Sequence, residues 1–193
     1  MTEPVFNEAY WSNRYLQKQT GWDIGYSSTP LKEYMLTVKD KTVSILIPGC
    51  GNAYEAESLL AMGFTDITLL DISAVLTAEL KKKFSNKKIN IVTGDFFEHA
   101  GQYDLILEQT FFCAIHPSLR ETYVEQMNRL LKPGGKLAGV LFNRNFEGGP
   151  PFGGTKEEYE PLFAAHFNIK KMELCYNSIQ PRSGTELFFI AEK

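Results

Sequence analysis

Two glycines and an aspartate have the spacing that most directly suggests chemistry. Gly49 and Gly51 form a Gly-Cys-Gly turn, and Asp71 follows Gly51 by 20 residues. Because glycine has no Cβ, the backbone of this turn can approach a ligand closely. A carboxylate about 20 residues further on can accept hydrogen bonds from ribose hydroxyls. The spacing favours a nucleoside ligand, with a purely structural turn as the alternative interpretation.

A strand, a helix and a second strand are needed to position these residues. An apolar run at 45–47 leads into the glycine turn, and apolar residues at helical spacing follow between 53 and 60. Gly63 comes just after that segment, where a left-handed helix cap favours glycine. A second apolar run at 67–70 ends at Asp71. The pattern predicts a βαβ unit with the ligand at the carboxyl edge of its strands.

The third glycine of the dinucleotide fingerprint is missing, because Asn52, Ala53 and Tyr54 follow Gly51. That glycine normally allows helix and strand to pack closely around a pyrophosphate. A nucleoside that carries an amino acid in place of phosphates therefore fits better. A nicotinamide-dependent oxidoreductase is the alternative, and the absence of a Tyr-x-x-x-Lys pair from the sequence argues against it.

Composition and charge narrow the class of protein. With 193 residues, of which 44% are apolar, the chain is long enough for one domain with a full core. No apolar run approaches the roughly 20 residues that cross a membrane, and residues 1–8 lack the regions of a signal peptide. The net charge of -3 argues against binding nucleic acid through its phosphates. We expect a cytoplasmic protein, a monomer or weak dimer, that binds neither nucleic acid nor membrane.

The three cysteines, Cys50, Cys113 and Cys175, are far apart in the sequence. There is no Cys-x-x-Cys motif and no histidine placed to complete a zinc site, so no metal is expected. We predict reduced, partly buried thiols. Cys50 and Cys113 both follow predicted strands, so they are candidates to line the ligand pocket.

The remaining pattern predicts an α/β fold with a mostly parallel seven-stranded sheet and helices on both faces. Ser118 and Glu121 have the spacing of a capping box, and Lys132–Gly135 is predicted to be a turn between a helix and a strand. The last two strands have no helix between them, which predicts an antiparallel pair. The predicted helices cover residues 6–19, 30–38, 53–60, 73–84, 118–131 and 156–165. The predicted strands cover 45–47, 67–70, 88–92, 103–107, 136–142, 168–176 and 185–191.

Five motifs carry a resemblance to a known family. They are IPGCG at 47–51, Gly-Asp-Phe at 94–96, EQTFFCAI at 108–115, LLKPGG at 130–135 and GGPPF at 148–152. The chain resembles the class I S-adenosylmethionine-dependent methyltransferases over nearly its whole length. Within that class it is most similar to the halide/thiol branch of the thiopurine methyltransferase superfamily. The resemblance implies a Rossmann-like core at 39–193 that ends in an antiparallel hairpin, and a helical cap at 1–38 that forms a lid.

The resemblance also implies S-adenosyl-L-methionine as cofactor and S-adenosyl-L-homocysteine as product. Aromatic residues before the core would close over the cationic sulfonium, and Asp95 would accept the adenine amino group. Glu108 would hold the cofactor's ammonium, directly or through water. Gln109 stands where the halide/thiol branch has a tyrosine. The implied cofactor residues are Trp11, Tyr15, Trp22, Gly49, Cys50, Gly51, Asp71, Ile72, Asp95, Phe96, Glu108 and Gln109.

The methyl acceptor is expected to be a small molecule that binds beside the TFFCAI and GGPPF segments. Phe152 replaces the tyrosine of related halide/thiol enzymes, which removes a hydroxyl that could bind a small anion. We therefore predict a thiol sulfur as acceptor, with halide, thiocyanate or thiopurine as alternatives. His116 is assigned a structural role. The candidate acceptor-pocket residues are Phe111, Phe112, Cys113, Phe152 and Arg120.

Two further readings are less consistent with the motifs. In nucleic-acid amino-methyltransferases a Pro-Pro-aromatic motif follows the fourth strand, where a flipped base stacks. Here Pro150, Pro151 and Phe152 follow the fifth predicted strand. A non-catalytic nucleoside-binding protein would keep the glycine turn but would not need intact FFCAI and GGPP segments.

Overall fold

A seven-stranded sheet forms the centre of the computed structural model, which describes residues 6–193. The strands are β1 (Ser44–Pro48), β2 (Asp66–Asp71), β3 (Asn90–Thr93), β4 (Tyr103–Gln109), β5 (Leu131–Phe142), β6 (Asn168–Leu174) and β7 (Glu186–Glu192). They lie in the order β3-β2-β1-β4-β5-β7-β6. The first five pair in parallel, and β7 is antiparallel to both β5 and β6. This topology confirms the predicted sheet and its reversed C-terminal pair.

Six α-helices lie within the described residues, each at a predicted position. They are α1 (Glu8–Leu16), α2 (Thr29–Thr37), α3 (Tyr54–Ala61), α4 (Ala74–Lys83), α5 (Arg120–Leu130) and α6 (Lys156–Ala164). None of the helices within 6–193 has the length and apolar character needed to cross a bilayer. Residues 1–5 were predicted to begin the cap and to lack the regions of a signal peptide. They lie outside the described residues.

Side chains of each central strand divide between two hydrophobic cores. Leu46 of β1 packs in one core with Tyr123 of α5, while its neighbours Ile45 and Ile47 pack in the other core with Leu59 of α3. Successive residues of a strand point to opposite faces, so a strand buried on both faces becomes continuously apolar. The two cores confirm that helices cover both faces of the sheet.

The predicted capping box at Ser118 is wrong. Helix α5 begins at Arg120, and Ser118 lies in a preceding 3-10 turn, where its N–H donates to Nδ1 of His116 at 3.3 Å. The chain tightens into this turn before the helix starts, so the serine is too early to cap it. A capping box instead begins α6, where the N–H of Thr155 donates to Oε2 of Glu158 at 3.0 Å.

The predicted turn at Lys132–Gly135 is part of β5 rather than a separate loop. Leu131 pairs with Tyr103, and the register then shifts before the next pair is made. The N–H of Gly134 donates to the carbonyl of Lys193, and the N–H of Lys193 donates to the carbonyl of Gly135, both at 3.0 Å. The C-terminal residue therefore keeps this segment hydrogen-bonded in spite of the proline beside it.

Candidate functional site

A cavity of about 1040 Å³ lies at the carboxyl ends of the parallel strands. Open α/β sheets bind ligands at this edge. Pockets of about 300–1000 Å³ are typical for one drug-sized ligand, so this cavity has room for a nucleoside cofactor and a small acceptor together. Its walls come from the loops after β1 to β5, the N-terminal segment and the β6–β7 connection.

The glycine turn gives this cavity an open cradle. Gly49 and Gly51 have φ values of +55° and +51°, in the left-handed region where glycine carries no steric penalty. A Cβ on Gly49 would lie 2.2 Å from the ring of Phe111. A Cβ on Gly51 would meet nothing closer than the Tyr15 hydroxyl, at 3.7 Å. The second glycine therefore leaves free space where a ligand could contact the backbone.

Asp71 lies beside this cradle and lines the cavity. Its side chain is buried, with Oδ2 accepting from the N–H of Gly51 at 3.3 Å and Oδ1 from the N–H of Ser73 at 2.9 Å. Burial raises the pKa of Asp71 to about 6, although these backbone donors partly offset the shift. The carboxylate thus fixes the glycine turn and remains available to ligand hydroxyls.

Aromatic rings of the N-terminal segment form a continuous series of edge-to-face contacts over the cavity. The ring centroids are 5.1 Å apart for Phe6 and Tyr10, 5.0 Å for Tyr10 and Trp11, 5.6 Å for Trp11 and Trp22, and 5.9 Å for Trp22 and Tyr15. All except Tyr10 line the cavity. We call these five residues the aromatic roof. Electron-rich ring faces attract a cation, so the roof suits a positively charged ligand.

Several polar contacts hold the aromatic roof to the core. Asp23 accepts hydrogen bonds from the Asn52 amide and, at 3.3 Å, from the Tyr54 hydroxyl. On the opposite side, Arg182 donates to the carbonyl of Trp22 at 3.0 Å. The roof is therefore fastened both to the glycine-turn side of the cavity and to the C-terminal hairpin.

The loops after β2 and β3 contribute Ile72, Asp95 and Phe96 to the cavity wall. Asp95 is exposed, and its Oδ1 accepts from the N–H of Phe97 at 2.9 Å. Phe96 is buried, with its ring 5.1 Å from that of Phe111. The structure thus brings these three predicted residues together with Gly49, Cys50, Gly51 and Asp71.

Glu108 does not line the cavity, in contrast to its predicted contact with a ligand's ammonium. Its side chain is fully buried, and Oε1 accepts from the N–H groups of Phe111 and Phe112 at 2.8 and 2.9 Å. Oε2 accepts from the hydroxyl of Tyr123 on α5. Burial raises the pKa of Glu108 to about 7. Internal donors therefore occupy both carboxyl oxygens, which corrects the prediction of a direct contact with the ammonium.

The next residue, Gln109, does line the cavity. Its Oε1 atom is buried and accepts no hydrogen bond from any residue within 6–193. A buried acceptor without a donor costs free energy, so this oxygen is suited to a donor on a bound ligand.

The acceptor-side residues divide into two layers. Phe111 and Cys113 line the cavity, but Phe112 and Phe152 lie behind it and border a small void of about 10 Å³. Pro150 and Pro151 line the cavity in place of Phe152. The predicted placement in the cavity wall is therefore wrong for Phe112, whose ring is buried in the core. Phe152 is half-buried, and its ring centroid lies 5.7 Å from that of Phe6 and 5.3 Å from that of His116, two residues that line the cavity.

Arg120 also supports the wall from outside the cavity. Its Nη2 donates to the carbonyl of Gly153 at 2.7 Å, and its guanidinium lies over the Phe112 ring, 4.8 Å from the centroid. Phe152 is fixed by its N–H, which donates to the carbonyl of Cys113 at 2.7 Å. These contacts assign Arg120 and Phe152 to holding the acceptor-side loop.

The cysteine thiols are free and buried. Cys50 and Cys113 both line the cavity, as predicted from their positions after strands. Burial raises the pKa of Cys113 to about 12, and its Sγ donates to the carbonyl of Thr110 at 3.3 Å. This thiol stays protonated near neutral pH, so it is poorly suited to act as a nucleophile.

Three arginines that the sequence analysis did not predict line the cavity: Arg14, Arg144 and Arg182. Arg144 lies over the ring of Phe146, 4.7 Å from its centroid, and Arg182 lies 5.4 Å from the centroid of Phe142. Arg182 pairs with Glu186 at 3.4 Å, whereas Arg144 has no carboxylate within ion-pair distance in the described chain. The sequence feature that could have predicted Arg144 in the wall is its position just after the fifth predicted strand, at the ligand-binding edge.

Charge is divided unevenly along the cavity wall. Within the described residues, the wall from Gln109 to Thr185 contains arginines but no aspartate or glutamate. All acidic side chains of the wall lie on the other part, around the glycine turn, where they outnumber its one arginine, Arg14: Asp23, Glu55, Asp71 and Asp95. The acidic part suits a cationic ligand, and the part with the arginines suits an anionic one.

The sequence model of the family described as Thiopurine S-methyltransferase (TPMT) matches residues 6–187. The probable thiol methyltransferase 2 of Arabidopsis thaliana is 34% identical, over 91% of this chain and 81% of its own. The thiocyanate methyltransferase 1 of Brassica oleracea is 29% identical, over 93% and 82%. A similar solved structure is the 1,6-didemethyltoxoflavin-N1-methyltransferase of Burkholderia thailandensis, bound to 1,6-didemethyltoxoflavin and S-adenosylhomocysteine. It has a TM-score of 0.75, 20% identity, and coverage of 96% of this chain and 86% of its own.

Proposed function

Because the chain belongs to the thiopurine S-methyltransferase family and is an S-adenosylmethionine-dependent methyltransferase, we propose that it methylates the sulfur of a small thiol. The observation that carries this proposal is the uneven charge of the cavity wall. The acidic part would hold the cofactor, which has a net positive charge. The part with Arg144 and Arg182 would receive a thiolate anion.

We further propose that the residues around the glycine turn bind the cofactor. The fit is supported by the open cradle at Gly51, the carboxylate of Asp71 and the unpartnered oxygen of Gln109. When bound, S-adenosylmethionine supplies a methyl group already activated on a sulfonium. The aromatic roof would face that cation and exclude water from it. Asp95 and Phe96 would contact the adenine.

The acceptor side needs only to orient a nucleophile. A thiolate attacks without a general base, and the nearest histidine, His116, is occupied in contacts with Ser118 and Phe152. In-line displacement depends on proximity and alignment, so the main task of Phe111 and Cys113 is to shape the wall. Thiocyanate is the alternative acceptor, favoured by the name of one relative.

The proposal includes a small-molecule acceptor, a cytoplasmic location and a monomeric or weakly dimeric state, without nucleic-acid partners. The free buried cysteines are consistent with a reducing compartment. We also propose that the segment up to residue 38 forms the lid over a Rossmann-like core.

An acceptor panel tests the proposed chemistry. Methyl transfer from labelled S-adenosylmethionine would be measured with hydrosulfide, an aryl thiol, a thiopurine, iodide and thiocyanate. We expect turnover of the thiols and little or none of iodide, because a thiolate is the stronger nucleophile toward the methyl group of a sulfonium. Turnover of only iodide or thiocyanate would refute the thiol assignment. Silence across the panel, with tight binding of the product, would move the acceptor to another class.

Cofactor affinity should increase with pH between 5 and 8. Hydroxyl donors of the cofactor favour the ionised form of Asp71, whose pKa is raised by burial to about 6. At pH 5 about one tenth of these carboxyls are ionised, so affinity should be about tenfold weaker than at pH 8. Burial also raises the pKa values of the adjacent Tyr15 and Cys50, so both stay protonated over this range.

Calorimetric titration with S-adenosylhomocysteine at several pH values measures this dependence. The Asp71→Asn variant serves as the control, because its side chain does not titrate. An unchanged pH profile in that variant would assign the dependence to another group.

A further inference from the structure

We propose that Glu108 is a positioning residue for methyl transfer. It fixes the position of the cavity wall at 109–113 relative to both the glycine turn and the acceptor-side loop. The inference rests on the proposed transfer to a small acceptor but concerns a residue that does not touch the cavity. We call Glu108, Tyr123 and the N–H groups of Phe111 and Phe112 the wall clamp.

The wall clamp stabilises an abrupt turn at the end of β4. Thr110 has a φ of +57°, a left-handed conformation that is unfavourable for a β-branched residue. The next two N–H groups converge on one oxygen of Glu108, at 2.8 and 2.9 Å. Hydrogen bonds to a carboxylate are stronger than those between neutral groups. The buried carboxyl group therefore offsets the strain and fixes the direction in which the chain leaves the strand.

The neighbouring strand makes room for this side chain. A Cβ on Gly139 of β5 would lie 2.4 Å from Cβ of Glu108 and 2.7 Å from its carbonyl oxygen. The pairing of Glu108 with Gly139 in the sheet register places this space directly beside the carboxyl stem. The three atoms nearest to such a Cβ all belong to Glu108, so the wall clamp depends on a glycine at this position.

The segment held by the wall clamp contacts both halves of the cavity. The Phe111 ring fills the position beside Gly49 and lies 5.1 Å from Phe96. At the other end, the carbonyl of Cys113 accepts from the N–H of Phe152 at 2.7 Å. A shift of this segment would therefore change the distance between a cofactor on the glycine turn and an acceptor beside the loop.

Such a shift should affect the chemical step more than cofactor binding. In-line displacement is sensitive to alignment, and a misplacement of about 1 Å can cost about 100-fold in rate. A role in stability alone predicts a changed melting temperature with an unchanged kcat. Because burying a carboxyl group is costly, an apolar replacement could even be neutral or stabilising. The two roles can be separated by comparing kcat with cofactor affinity in folded variants.

The test uses Glu108→Gln, Glu108→Leu and Tyr123→Phe, with Tyr103→Phe as the matched control. Tyr103 is a buried tyrosine at the opposite end of β4, and its hydroxyl bonds to Nε2 of His99 at 2.8 Å. For each variant we would measure the melting temperature, the Kd of S-adenosylhomocysteine, and kcat and KM for the best acceptor of the wild-type protein.

We expect kcat to fall about 100-fold in Glu108→Leu and about tenfold in Tyr123→Phe, with the Kd of the product within about threefold of wild type. Glu108→Gln retains an oxygen for both N–H groups and should recover most of the loss seen with leucine. Tyr103→Phe should keep the wild-type kcat. Unchanged kcat in folded Glu108→Leu and Tyr123→Phe would overturn the proposal, and if the Glu108 variants do not fold, Tyr123→Phe decides it.

Amide hydrogen exchange separates this proposal from the proposed acceptor. In Glu108→Leu or Tyr123→Phe, the N–H groups of Phe111 and Phe112 should lose protection while those of β1 keep it. This measurement requires no acceptor, so it stands even if every thiol is inert. Retained protection at both amides would contradict the wall clamp regardless of the substrate.

Discussion

Gly49→Ala should lower the free energy of unfolding by roughly 2–5 kcal/mol, because left-handed strain and overpacking add together. The new Cβ would lie 2.2 Å from the Phe111 ring, at a φ of +55°. Alanine at position 51 meets the same strain without the clash and should cost only about 1–2 kcal/mol. Chemical denaturation of the protein without ligand measures both values.

For cofactor affinity we expect the opposite order, with the larger loss in Gly51→Ala. The Cβ of Gly51→Ala would project into open cavity space beside the Tyr15 hydroxyl, so it should weaken cofactor binding without a large loss of stability. Equal stabilities for the two variants would show that Phe111 moves aside easily. Unaltered cofactor affinity in Gly51→Ala would show that the cofactor does not approach this backbone.

Removing the carboxylate of Asp71 should weaken cofactor affinity by roughly 1–3 kcal/mol. This corresponds to about 5- to 150-fold in Kd. The expected reason is the loss of charged acceptors for the ribose hydroxyls, together with the hydrogen bond that Oδ2 accepts from the N–H of Gly51. Calorimetric titration of Asp71→Ala with S-adenosylhomocysteine measures the effect.

Asp104→Ala provides the control for this loss. Asp104 lies near the amino end of β4, away from the cavity, and pairs with Lys132 at 2.8 Å. Its replacement should affect stability but leave the Kd of the cofactor product unchanged. Equal losses of affinity in the two variants would point to general loosening of the fold. An unchanged Kd in Asp71→Ala would refute the ribose assignment.

Much of the cofactor side could be predicted because its signals are local. The glycine turn, the helix after it and the acid after the next strand lie within residues 44–73, and short-range backbone requirements determine each of them. The antiparallel C-terminal pair could likewise be predicted from the lack of a helix between two apolar runs. The order of the strands in the sheet was not predicted, because no local pattern contains it.

The direction of Glu108 could not be predicted, because it is decided by residues distant in sequence. A carboxyl group at the end of a strand can face a cavity or a covering helix. Here Tyr123 provides a buried donor and Gly139 provides space. The same reasoning applies to Arg120, whose partner Gly153 lies 33 residues away. Sequence spacing identifies the residue types at an edge but not which of them turn inward.

The aromatic roof also has a spectroscopic consequence. Trp11 and Trp22 are the only two tryptophans in the sequence, and both line the cavity, 5.6 Å apart. Indole emission depends on the polarity and quenching of its surroundings, so the whole tryptophan signal of this protein originates at the ligand site. The protein thus carries an intrinsic optical probe of its own occupancy, free of background from the rest of the fold.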